Sequence, residues 1–139
     1  MVSNVKAIQK TVQEAAEWVH TLMEQCPLNE NESFVLIRAT LKAIRDRITK
    51  EEAIHFGAQL PAIFRGFYYE GFSLNSRQTK DSDAGDFLTS IRFHLGGHFE
   101  IHLQNEVPKV LKLISQRISE GEIEDVKNNL PREIQELFQ

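Results

Sequence analysis

Three histidines, His94, His98 and His102, recur at every fourth position. On one unbroken helix they would present three imidazoles on a single face, a donor set suited to zinc, copper or nickel. Gly96-Gly97 falls inside that spacing and predicts a helix stop, which would part the rings. The expectation is therefore no metal and no cofactor. Cys26 is the only cysteine, so no internal disulfide can form and no multi-thiolate zinc site is available. A nucleophilic Cys26 would need an imidazole beside it, yet His20 lies nearly two turns back and Pro27 follows at once. An inert, half-buried thiol is expected. Glu120, Glu122, Glu124 and Asp125 crowd the start of a helix, where the positive end of the dipole accounts for them. They lack the alternating Asp pattern and glycine of a calcium loop. Arg38, Lys42 and Arg45 form a basic stripe at i, i+4 and i+7. No stacking platform accompanies it, and Glu32 and Asp46 dilute it, so it reads as a solvated helix face and no nucleic-acid partner is expected. Walker A, nucleophile-elbow, zincin and dinucleotide fingerprints are absent, and a non-enzyme is expected.

The aromatic run Phe64, Phe67, Tyr68, Tyr69 and Phe72 is denser than one helix needs. At 3.6 residues per turn these five cannot all face one core. Phe64 and Phe67 are expected inside. Tyr69 and Phe72, with Tyr68 at the margin, are the candidate interaction residues. They either face outward as partner anchors or seal a joint within the chain.

The elements that position these residues come in two copies. At an offset of seventy, Leu41 falls on Leu111, Arg47-Ile48 on Arg117-Ile118, Glu52 on Glu122 and Leu60-Pro61 on Leu130-Pro131. A one-residue slip places Glu17-Trp18-Val19 on Asp86-Phe87-Leu88. This is the signature of an internal duplication. Each copy reads as about four helices. Apolar positions recur at helical spacing from Val12 to Met23 and from Phe34 to Ile48. Thr49-x-x-Glu52 and Ser119-x-x-Glu122 both fit a capping box, in which the hydroxyl accepts from the third residue and the glutamate returns the bond. Pro61 and Pro131 each open a short fourth helix. Pro108 predicts a break or kink between Gln104 and Pro108. The expected architecture is all-α, two tandem helical repeats packed as a pseudo-twofold bundle. It comprises a first repeat at 1–72, a polar linker at 73–82 and a second repeat at 83–139. The second copy ends soon after Phe138 and has no counterpart of Tyr69 to Phe72, so those residues need an explanation of their own.

The segment Ala58-Gln59-Leu60-Pro61, then Arg65, then Tyr68-Tyr69-Glu70-Gly71-Phe72 resembles the small bacterial proteins grouped as domain of unknown function 2267. So does the later run Glu120-Gly121-Glu122-Ile123-Glu124-Asp125-Val126 followed by Leu130-Pro131. The likeness extends from about Trp18 to Phe138. It implies a helical fold and no particular activity. Phe72 stands where that group commonly has tryptophan, so no role that needs an indole N–H carries over.

Composition narrows the classes further. The 139 residues are 41% hydrophobic and 26% charged, which suits a globular domain rather than a disordered chain. Neither a secretory leader nor a membrane-spanning run is legible, so the cytoplasm is the expected location, with no membrane partner. The formal net charge is −4. Residues 1–80 carry ten basic and nine acidic side chains, and residues 81–139 carry six and eleven. Two functions remain open: a non-catalytic helical interaction module that binds an unknown protein or itself, and a small-molecule or metal binder with its pocket between the repeats.

Overall fold

A computed structural model describes residues 3–80, 83–97 and 102–139. Among the described residues the chain is all α, with eight helices and no strand. The first half holds α1 (Lys6–Met23), α2 (Glu30–Arg45), α3 (Lys50–Ala58) and α4 (Ala62–Tyr68). The second holds α5 (Ala84–Leu95), α6 (Leu103–Arg117), α7 (Glu120–Asn128) and α8 (Arg132–Glu136). None of the helices is long and apolar enough to cross a membrane.

Local chemistry explains the boundaries. Asn29 caps α2 in a full capping box: its side chain accepts from Glu32 N–H and the Glu32 carboxylate accepts from Asn29 N–H. Asp83 caps α5, accepting from Asp86 N–H at 2.7 Å. Gly96 ends that helix with φ +67°, a left-handed conformation that favours glycine. Pro108 does not break the chain as expected. Helix α6 begins at Leu103 and runs through it. Pro108 sits in the second turn, and Gln104, whose carbonyl loses its helical donor to the proline, is exposed to water.

One apolar core runs through both halves, from Trp18, Leu36, Leu41 and Phe64 to Phe87, Ile91, Leu111 and Ile134. Helix α2 packs on α5, α1 on α6, and α3 on α7, so the halves interlock instead of standing apart. The polar linker is tied down as well: Gln78 donates to the Arg47 carbonyl and Thr79 N–H to the Asp46 carbonyl.

Several contacts across the joint come in reciprocal pairs. Arg47 donates to Ser90 Oγ and the Asp86 carbonyl. Arg117 donates to Thr21 Oγ1 and pairs with Glu17. Thr49 N–H donates to Asn129 Oδ1, and Ser119 N–H donates to Gln59 Oε1. Within the halves, Arg65 donates to the Leu60 carbonyl as Gln135 does to that of Leu130. Exchanging residues across the seventy-residue offset, with the one-residue slip at Glu17 and Thr21, maps each contact onto its counterpart. A twofold relation between the halves would produce this pattern.

Candidate functional site

The aromatic run folds back on its own half. Tyr68 is 0% exposed, and its hydroxyl donates to the Ala53 carbonyl at 2.7 Å. It therefore belongs to the core and cannot anchor a partner. Tyr69 and Phe72 are half-buried. Their rings follow one another, Tyr69 against Tyr68 at 4.9 Å and Phe72 against Tyr69 at 5.6 Å. Tyr69 covers Gly57, where a methyl group would collide with its phenol, and Phe72 lies under Arg45 and Lys50. These two do not face fully outward. They roof α3 and the end of α2.

The basic stripe fastens this roof. Arg38 lies over the rings of Phe34 and Phe67, Lys42 pairs with Glu70, and Arg45 donates to the carbonyls of Tyr68 and Glu70, both at 2.7 Å. Arg45 is 5% exposed, so it is not part of a solvated face. It instead satisfies the carbonyl end of α4.

An apolar surface lies elsewhere, on the first half. Val12, Ala15, Ala16 and Val19 of α1, with Phe34 of α2 and Ile63 of α4, line a groove of about 330 Å³. Glu30 and Asn31 stand at its mouth. The apolar stripe of α1 continues past the groove through Ile8 to Val5, at i−4 and i−7 from Val12. Val5, Ile8 and Val12 are 55%, 46% and 42% exposed. The floor extends on the other side along Ala62, Gly66 and Phe67 of α4. Helical periodicity identified Val12, Ala15 and Val19 as apolar but could not say that their partner helices stop short of covering them. Between the halves there is also a more polar cleft of about 310 Å³, bordered by Gln78, Thr79, Lys80 and Asn129.

The second feature is a carboxylate pair at the contact of α3 and α7, Glu122 buried and Glu52 half-buried. Thr49 and Ser119 cap these helices as expected, accepting from Glu52 N–H at 3.2 Å and Glu122 N–H at 3.3 Å. The return bonds of the two capping boxes are not made. The cap N–H groups are taken by Asn129 and Gln59 of the opposite half, so both glutamates are released and turn inward. Glu122 is 8% exposed, and Oε2 of each glutamate is buried without a hydrogen-bond donor. Burial, and then the neighbouring Glu52 carboxyl group, push the Glu122 carboxyl up to about 8. His55 stands one turn beyond Glu52, its Nδ1 3.9 Å from Glu52 Oε2. Glu52 falling on Glu122 in the duplication was the available sequence signal, because two copies packed about a twofold would bring equivalent residues together along the axis.

The histidine series does not assemble on one helix. His94 lies in the last turn of α5 and contacts Asp46 Oδ2 at 3.0 Å, bridging the halves. Burial disfavours the charge on Asp46, but the hydrogen bond with His94 and the Arg45 guanidinium outweigh it and hold the carboxyl below its ordinary range. His102 is exposed at the start of α6. His98 lies outside the described residues.

Cys26 is 7% exposed, close to Glu106. Burial, and then the hydrogen bond and charge of Glu106, push its thiol up to about 12. Iodoacetamide at pH 8 should therefore leave the native protein unlabelled and modify Cys26 only in denaturant. Rapid native labelling, read by mass spectrometry, would contradict this placement.

A family model described as uncharacterized conserved protein (DUF2267) matches residues 15–137. No curated protein matches the chain.

Proposed function

The chain belongs to that uncharacterized conserved family, whose description names no activity, and we propose from its geometry that it is a non-catalytic helical interaction module that pairs with a second copy of itself through the α1–α2–α4 groove. The single observation that carries this reading is the continuity of the groove with the exposed stripe Val5, Ile8 and Val12. One surface presents both a hollow and the apolar ridge that would fill one. Such self-complementarity suits a twofold contact, in which each copy seats its α1 ridge in the groove of the other. Charge agrees: Lys6 flanks the ridge, while Glu30 lines the groove.

The test is oligomeric state by sedimentation across a range of concentrations. Wild type should dimerise. Ile8→Glu with Val12→Glu should be monomeric at every concentration, with thermal stability nearly unchanged because both positions are exposed. Tyr69→Ala with Phe72→Ala should lower thermal stability and leave the dimer intact, since those rings roof their own half. A wild type that stays monomeric at the highest reachable concentration rejects the pairing. A dimer that survives the glutamates and dissolves on loss of the aromatics transfers the surface to Tyr69 and Phe72.

A further inference from the structure

Glu52 and Glu122 hold equivalent places on α3 and α7, and each keeps one oxygen in the seam between the helices with no donor to it. A carboxylate oxygen withheld from both water and hydrogen bonds is costly unless a proton or a cation lies against it. Glu122 is more than nine-tenths buried, so water cannot serve. One donor atom each from Glu52, His55 and Glu122 lies within 4.8 Å of the other two. The geometry points to a divalent first-row transition-metal ion bound by Glu52, Glu122 and His55 in the seam between the two halves.

The donor chemistry sets the class of ion. Two carboxylate oxygens and one imidazole nitrogen suit zinc, manganese or ferrous iron, whereas magnesium and calcium prefer oxygen alone. Charge closes too, because one divalent cation balances two carboxylates. Ligand atoms around an ion with bonds of about 2.1 Å lie roughly 3–3.5 Å apart, so the three donors must draw in by about 1 Å. His55 is exposed and its ring is free to swing inward. The carboxylates are held by a stiff frame. One turn before each glutamate, the cap residues Thr49 and Ser119 are bonded across the joint through Asn129 and Gln59. Three protein ligands leave coordination positions for water or an exogenous group. The spacing Glu52-x-x-His55 on α3 is answered by Glu122-x-x-Asp125 on α7, which keeps a fourth ionisable group beside the seam. The α1 groove is separate, so this site stands or falls independently of self-association.

The test uses the full chain, stripped with EDTA and desalted. Zinc is titrated alone by calorimetry, and cobalt is followed by its visible absorption. Wild type should bind one ion per chain. His55→Ala and Glu122→Gln should each weaken binding by at least about tenfold, and His55→Ala should also shift the cobalt bands through loss of the nitrogen donor. His55 is exposed, so its removal leaves the fold intact and the test decisive even should Glu122→Gln fold poorly. Failure of both ions to bind at one per chain would overturn the site. So would wild-type affinity and an unchanged cobalt spectrum in His55→Ala, an outcome that places any ion on other histidines such as His94 and His102.

Discussion

Arg47→Ala should destabilise the fold by about 2–4 kcal/mol in urea unfolding, while Arg117→Ala should cost about 0–1 kcal/mol. The two arginines are equivalent in the duplication, and both reach from the end of one long helix to the first helix of the other half. Arg47 is 3% exposed. It donates to the Ala43 carbonyl, Ser90 Oγ and the Asp86 carbonyl, and its guanidinium lies 5.4 Å from the centre of the Phe87 ring. Alanine there leaves buried acceptors without a donor and opens a void at the contact of α2 and α5. Arg117 makes the corresponding reach at the surface, its side chain 31% exposed, where water substitutes for what is lost. Arg47→Lys should recover only part of the loss, because an ammonium cannot present the flat fork that several oxygens share. Equal costs for the two alanine variants would refute the claim that the halves differ in depth at this joint.

The carboxylate pair should make metal-free stability fall as pH rises. Folded Glu122 keeps its proton up to about pH 8, against an ordinary value of 4.5. Between those values the folded state binds more protons than the unfolded state. The pair's contribution is complete below about 4.5 and is lost as pH climbs through 8. The groups that bear on Glu122 are Glu52 from α3, Asp125 from its own helix, exposed His55, and Tyr68 from α4. Glu122→Gln supplies Glu52 with an amide donor that never ionises. In EDTA it should flatten the decline between pH 5 and pH 9 and raise stability at the alkaline end by about 1–3 kcal/mol. Thermal unfolding at several pH values measures this. A wild type whose melting temperature climbs over the same range would show that the two carboxyl groups do not share the seam.

Much of the helix plan was legible. The proline steps at Pro61 and Pro131, the caps Thr49 and Ser119, and the stop at Gly96-Gly97 act within a few residues of themselves. Each boundary therefore follows from local backbone chemistry. The break expected before Pro108 is absent because the cost of an interior proline depends on how far it lies from the helix start, and that start is Leu103, which no side-chain cap at His102 marks.

The candidate sites divide along a similar line. Sequence by itself determined which residues are equivalent: the seventy-residue offset pairs Glu52 with Glu122 and Arg47 with Arg117 whatever the packing. Tertiary structure alone decided what those equivalences do. Capping glutamates bond to their own helix start only while that N–H is free, and here Asn129 and Gln59 arrive from across the joint and displace them. Aromatic residues whose spacing left open an outward anchor or a seal between the halves became a roof, because Gly57 leaves room for Tyr69 to lie down on α3. The α1 stripe read from its helical spacing remains partly uncovered, because periodicity records which face of a helix is apolar and carries no information about how far its neighbours extend along it.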